Sequence, residues 1–254
     1  MHGTPQVIQK CKAMSDPNFS KDITFHPSFN MIYLKAPIGS DEFVSEWLKD
    51  KLRELQDVID VVAQMPYAHE ACTLLRSCGA ECRVTYLMRI LPPRQIDDFM
   101  IKFDGVLRGG FEKLIGTKLS NKWWRLTQLT PKFGGMSMRS GLTTYGAQHL
   151  VSLSKSATEV KRIVGEYDVL QVAKRETGTW LDEMCCGNVD IEELVAKHIA
   201  ASTNRNAHPE SSPRYSIAQM CEVHEQKKVT ALMSREERIH IKAHSGPDDL
   251  ITDG

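Results

Sequence analysis

The sequence predicts a mainly α fold, a helical bundle with a short β element near the N-terminus. Apolar residues recur at intervals of three and four through most of residues 41–165, which is typical of amphipathic helices. A stretch of β-type residues around a turn precedes them. The chain has 254 residues, of which 41% are hydrophobic and 25% charged, so it has the composition of a globular protein with a substantial core.

The β element is predicted from the stretch "DITFHPSFNMIYLKAP" at residues 22–37. Its β-type residues flank His26 and Pro27, and this pattern predicts a short hairpin that turns at those two residues. We assign residues 1–40 to this element.

A long helix is predicted to follow and to open a helical domain over residues 41–165. Ser40 is a favourable N-cap, and Asp41 and Glu42 suit the positive end of the helix dipole. Apolar residues then repeat along one face as far as Val62.

Two shorter helices are expected next. One covers residues 67–79, with Gly79 as its C-terminal cap. The other covers residues 82–90 and ends before Pro92, because a proline disfavours helical backbone in the residue that precedes it.

A second long helix is predicted over residues 94–116, with one apolar face and one basic face. Its apolar sector contains Ile96, Phe99, Met100, Phe103, Val106, Leu107, Phe111 and Leu114. Its basic sector contains Arg94, Lys102, Arg108 and Lys113. Gly109 and Gly110 weaken the middle of the helix by about 1 kcal/mol each relative to alanine, which would permit a kink there.

The stretch "TPKFGGMSMRSG", residues 130–141, interrupts the helical pattern and is called the glycine segment below. Its paired glycines allow positive φ angles and close backbone approach, so we expect a hinge. A short helix capped by Ser120 precedes it and carries Trp123 and Trp124.

The remaining chain is expected to form further helices, a linker and a tail. Helical patterns cover residues 142–153, 157–176, 189–202, 217–234 and 235–244. We therefore expect a helical extension at residues 166–203, a polar, proline-broken linker at 204–214 and C-terminal helices with a flexible tail at 215–254.

No motif in the sequence predicts catalysis, a metal site or a cofactor. His69, Cys72, Cys78 and Cys82 have no usual zinc-ligand spacing, and buried, reduced thiols are the favoured interpretation of the cysteines. The Asp pairs at 97–98 and 248–249 lack the hydrophobic hairpin that surrounds the metal-binding aspartates of nucleotide polymerases. The sequence also has no transmembrane run or signal peptide, so we expect no membrane partner and an intracellular location, cytoplasmic or nuclear.

Charge is distributed unevenly along a chain whose formal net charge is zero. Residues 83–139 contain 11 basic and 4 acidic residues, a net charge of +7, whereas residues 166–254 contain 10 basic and 16 acidic residues, a net charge of −6. A basic middle region indicates a surface that faces a polyanion, although ordinary solvated charge is an equally good interpretation.

Three stretches together resemble a known family: "YLKAPIGSDEFV" at residues 33–44, "LMRILPP" at 87–93 and "LTPKFGGMSMRSG" at 129–141. They are similar to the region that follows the catalytic palm in non-LTR retrotransposon reverse transcriptases, where a helical thumb packs along the template–primer duplex. The similarity covers residues 31–165, and "MSREERIHIKAHSGPDD" at 233–249 weakly resembles a downstream segment. Lys35 stands where the family usually has glycine.

The resemblance implies a thumb-like, non-catalytic protein that binds RNA, DNA or an RNA–DNA duplex. In the family the fingers and palm would precede residue 1, so the catalytic aspartates have no counterpart here and we expect no enzyme. The implied nucleic-acid-binding residues are Arg94, Lys102, Arg108, Lys113, Lys118, Lys122, Trp123, Trp124, Arg125, Lys132 and Arg139. The alternative is a helical scaffold, a protein-interaction module or an inert pseudogene product with no nucleic-acid role.

Overall fold

The computed structural model of the chain describes residues 30–165, 168–185, 192, 193, 196 and 223–244. The chain divides into two compact units, residues 1–51 and 52–254. The described residues are mainly helical, with one short two-stranded sheet near the N-terminus, so the predicted fold class is confirmed. The predicted boundaries of the domains stay predictions.

The sheet in the first unit is a hairpin of two three-residue strands. Strand β1 (Met31–Tyr33) pairs antiparallel with β2 (Ala36–Ile38). Leu34 and Lys35 form its two-residue turn with φ angles of 48° and 63°, the left-handed values that match the twist of the strands. The turn predicted at His26 and Pro27 lies outside the described residues. The sequence did not indicate the turn at Leu34 and Lys35, because Leu-Lys lacks the glycine or asparagine that signals such a turn.

Helix α1 (Asp41–Ala63) begins where the sequence predicts. The hydroxyl oxygen of Ser40 accepts a hydrogen bond from the backbone N–H of Phe43 at 3.3 Å, which confirms the N-cap. The backbone N–H of Ser40 donates to Asn30 Oδ1 at 2.8 Å. These two bonds connect the strand end to the helix start within the first unit.

The helices after α1 follow the predicted order. They are α2 (Ala68–Leu74), α3 (Thr85–Ile90), α4 (Pro93–Ile115), α5 (Asn121–Gln128), α6 (Tyr145–Val164), α7 (Val169–Cys185), α8 (residues 223–231) and α9 (Arg235–His244). The predicted break between residues 153 and 157 is wrong, because α6 continues through it and ends at Val164, with Gly165 as its C-cap at a φ of 88°. The helix predicted over residues 157–176 is therefore divided between α6 and α7. Most of the predicted helix at 189–202 and the linker at 204–214 lie outside the described residues.

The segment after α2 differs from its prediction. The chain continues into a π turn, Leu75–Gly79, and Gly79 is its last residue without the positive φ of a glycine cap. Cys78 and Cys82 are exposed and Cys72 is half-buried, so the prediction of core cysteines is wrong for these three free thiols. The sequence pattern failed because a π turn shifts the helical face, and the Cys82 thiol instead donates to the backbone carbonyl of Ser77 at 3.0 Å.

Helix α4 supplies much of the core of the second unit. The side chains of its predicted apolar sector that are buried are Ile96, Phe99, Met100, Phe103, Leu107 and Phe111. Helix α4 is continuous through Gly109 and Gly110. A Cβ on Gly110 would lie 2.2 Å from Ile59 Cγ2, so this glycine permits close packing of α4 on α1.

The glycine segment forms a compact turn that folds back on the end of α5. A 3-10 turn, Pro131–Phe133, leads to Gly134, whose φ is 75°. The backbone N–H groups of Met136 and Met138 then donate to the carbonyl of Thr127 at 3.1 and 3.0 Å. Met138 is fully buried. The segment is therefore held by backbone hydrogen bonds and by packing.

Candidate nucleic-acid interface

The solvent-exposed face of α4 that carries Lys102, Gly105, Gly109 and Lys113 is called the outer face of α4 below. Both lysines are exposed, and both glycines have open space where a Cβ would lie. Helix geometry places residues 102 and 113 on nearly the same side, about 16 Å apart along the axis. The outer face thus has two glycines with open space above them and an ammonium group at each end.

Each lysine of the outer face has a carboxylate partner. Lys102 Nζ lies 2.5 Å from Asp98 Oδ2, one helical turn away, and Lys113 Nζ lies 2.5 Å from Asp60 Oδ1 of α1. The pKa of Asp60 is lowered, first by its hydrogen bond from Lys113 and then by that from Gln56. Ion pairs between exposed side chains contribute about 0–1 kcal/mol, so a phosphate can replace the exposed Asp98 at little cost. Replacing Asp60, which is 30% exposed, costs more because that carboxylate is partly sheltered from water.

Arg94 stands at the start of α4 and is also paired. Its Nε lies 3.6 Å from Glu176 Oε2 on α7, while the arginine side chain remains exposed. The basic middle region of the sequence thus meets an acidic residue of the later region at this point.

Arg108 has a structural role at the other end of α4. Its Nε donates to Glu112 Oε1 at 2.9 Å, its Nη1 donates to Asn121 Oδ1 at 2.8 Å, and its Nη2 donates to the carbonyl of Leu119. These bonds join α4 to the start of α5. Arg108 therefore uses its donors within the protein, and the candidate interface does not include it.

Glu112 is the acceptor at the centre of this cluster, with a side chain only 7% exposed. It accepts from Lys118 Nζ at 2.8 Å and from the backbone N–H of Leu119 at 3.0 Å, in addition to Arg108. Lys118, Leu119 and Arg108, in that order, lower the pKa of Glu112 to about 2. The Lys118 side chain is largely exposed, so its ammonium group contacts solvent as well as Glu112.

The two tryptophans of α5 differ in exposure. Trp124 is 4% exposed, packs against Phe111 and donates from Nε1 to Asp104 Oδ2 at 3.0 Å. Trp123 is 38% exposed, and Lys122 Nζ lies 5.0 Å from the centre of its ring. Of the pair, only Trp123 offers a ring on which a base could stack.

The three remaining basic residues lie on or beside α5 and the glycine segment. Arg125 and Arg139 are exposed, with no side-chain hydrogen bond or ion pair to another residue among those the structure describes. Lys132 is half-buried, with Nζ 6.0 Å from the centre of the Phe133 ring. Arg125 and Arg139 are therefore the cations most available to a polyanion.

Sequence reasoning missed the contact between α5 and the C-terminal helices. Lys122 Nζ lies 2.5 Å from Glu237 Oε1 on α9. Beside this pair, an open groove of about 880 Å³ is lined on one side by Trp123, Gly134 and Gly135 and on the other by residues of α9 such as Ile239. The opposite charges of the middle and later regions were the signal that could have indicated such a contact.

The predicted cations thus do not form one unpaired patch. Arg94, Lys102, Arg108, Lys113, Lys118 and Lys122 each lie within 3.6 Å of a carboxylate. In the described part of the chain, no group of three or more His, Cys, Asp or Glu side chains is arranged to hold a metal ion. Nor does any helix of the described residues have the length and apolar character needed to cross a bilayer.

In comparisons with known proteins, no family model, no curated protein and no solved structure matches this chain. The resemblance to reverse transcriptases accordingly rests on the sequence motifs and stays a prediction.

Proposed function

We propose that the chain is a non-catalytic helical module that binds the backbone of RNA, DNA or an RNA–DNA duplex, in the manner of a reverse-transcriptase thumb. The outer face of α4 is the observation that carries the proposal. The Cα atoms of its two lysines lie about 16 Å apart along the helix axis, which is more than the roughly 12 Å width of a B-DNA major groove. The lysines can reach phosphates on both sides of a groove while Gly105 and Gly109 allow the helix backbone to come close.

Electrostatics determine the kind of binding to expect. Lys102 and Lys113 must exchange a carboxylate for a phosphate, whereas Arg125 and Arg139 need no such exchange. Phosphate contacts by lysine and arginine release counterions and carry no sequence information. We therefore expect modest, salt-sensitive affinity without sequence preference.

The alternative function is a helical scaffold or protein-interaction module without a nucleic-acid role. The ion pairs favour it, because six of the predicted cations already have carboxylate neighbours in the protein. The basic middle region would then serve to hold the helices together rather than to attract a polyanion.

Binding of the full chain to a labelled RNA–DNA duplex at several salt concentrations tests the proposal. A Lys102→Ala/Lys113→Ala variant should bind about ten-fold more weakly at low salt, and its dependence of log K on log salt should be shallower by about 2. The matched control is Lys155→Ala/Arg162→Ala, which removes two exposed charges from α6. Equal losses of affinity in both variants would show an effect of net charge and not of the outer face of α4. No binding by the unmodified chain at low salt would favour the scaffold.

A further inference from the structure

The C-terminal helix pair, α8 and α9, packs on the helix that carries the exposed tryptophan. Leu126, Leu129 and Phe133 from α5 and the following turn meet Val229 and Met233, and all five are 9% exposed or less. Val223 and Ile241 pack at the edges of this cluster. Apolar burial therefore holds the turn between α8 and α9 against the end of α5.

Glu237 is oriented toward Lys122 by a capping box at the start of α9. The hydroxyl of Ser234 accepts from the backbone N–H of Glu237 at 3.2 Å, and Glu237 Oε2 accepts from the backbone N–H of Ser234 at 2.8 Å. The second carboxylate oxygen, Oε1, is left to accept from Lys122 Nζ at 2.5 Å. The geometry of the helix start thus aims one anionic oxygen at the lysine.

The Lys122–Glu237 pair is more sheltered than the ion pairs of the outer face of α4. The Lys122 side chain is 25% exposed, compared with 49% for Lys102 and 61% for Lys113. Glu237, at 29%, is more sheltered than Asp98 and as sheltered as Asp60. Shelter from water strengthens the attraction of opposite charges. A phosphate must therefore displace Glu237 before it can occupy the same position beside Lys122 and the Trp123 ring.

We propose that α9 is an intramolecular competitor of nucleic acid, with Glu237 in the place of a phosphate at Lys122. This inference rests on the proposed function and concerns its regulation. Two of the six paired cations, Arg94 and Lys122, take their counter-charge from the later region of net charge −6. At these two positions the later region supplies a negative charge that a polyanion would otherwise provide.

The test compares Glu237→Gln with Glu236→Gln in the full chain. Both variants remove one negative charge, but Glu236 is exposed and pairs with no other residue within the described ranges. Glutamine keeps the capping box, so the start of α9 should stay intact, and far-UV circular dichroism checks that it does. We expect Glu237→Gln to bind the RNA–DNA duplex about three- to five-fold more tightly than Glu236→Gln, with a salt dependence steeper by about 1.

Replacement of Lys122 shows whether any gain in affinity for the duplex comes from this lysine. Lys122→Ala in the Glu237→Gln background should abolish the gain, because the freed ammonium group is then absent. Equal affinities for Glu237→Gln and Glu236→Gln, together with salt-sensitive binding by the unmodified chain, would overturn the competitor and leave the proposed function standing. No binding by any of these proteins at low salt would overturn both.

Discussion

The dipeptide Gly-Gly occurs twice in the second unit, as Gly109–Gly110 in α4 and as Gly134–Gly135 in the glycine segment. The first pair lies within an uninterrupted helix, whereas the second lies in the turn that follows α5. In each pair one glycine, Gly110 or Gly135, is required because another atom occupies the space that a Cβ would fill. The other two differ: Gly134 has a left-handed backbone, and Gly109 has an ordinary helical backbone and open space. Four alanine substitutions separate these reasons for a glycine.

Gly135→Ala should cause the largest loss of stability. Its Cβ would lie 2.1 Å from the carbonyl oxygen of Leu129 and 2.5 Å from that of Leu126. Backbone atoms cannot rotate away, so the turn on the end of α5 must open, and we expect a loss of at least about 3 kcal/mol in the free energy of unfolding. Urea denaturation measures it, and a loss under about 1 kcal/mol would contradict the close approach.

Gly110→Ala should be the next most damaging change. Its Cβ would lie 2.2 Å from Ile59 Cγ2, which belongs to a buried but rotatable side chain. We expect a loss of about 2 kcal/mol by overpacking. Ile59→Ala removes Cγ2, the atom that clashes, so Gly110→Ala combined with Ile59→Ala should lose less stability than the sum of the two single variants. Losses that simply add would show that the α1–α4 contact is not the cause.

Gly134→Ala should cost about 1 kcal/mol, because its φ of 75° is disfavoured for residues that have a Cβ. Gly134→Asn is the matched control, since asparagine tolerates left-handed backbone better than alanine. Denaturation midpoints that rank glycine, asparagine and alanine in this order would support the backbone conformation, and equal midpoints for the two variants would contradict it.

Gly109→Ala should have the smallest effect and the opposite sign. Its position is helical, and nothing lies within 4 Å of the added Cβ. We expect a gain of about 0.5–1 kcal/mol, because alanine has the higher helix propensity. A loss of stability in thermal or urea unfolding would mean that α4 is kinked at this point after all. Because the side chain points to the outer face of α4, the same variant also shows whether added bulk there weakens duplex binding.

The same contrast between local pattern and surroundings applies to the charges. The sequence correctly predicted that α4 buries its apolar sector, since Phe103 and Leu107 follow the helical period. It placed Arg108 in the candidate interface with Lys102, but the structure uses Arg108 to join α4 to α5. A helical wheel shows only which side of the helix a residue is on, and two of the three acceptors of Arg108, Leu119 and Asn121, lie on the next segment of chain.

Sequence alone was sufficient for the positions of most helices, because caps such as Ser40 and apolar periods act over a few neighbouring residues. It was also sufficient for the separation of a basic middle region from an acidic later one. Only the tertiary structure determines which of those charges meet. Lys113 and Asp60 are 53 residues apart, and Lys122 and Glu237 are 115 apart. Such pairs depend on how whole helices pack, and no local pattern specifies that packing.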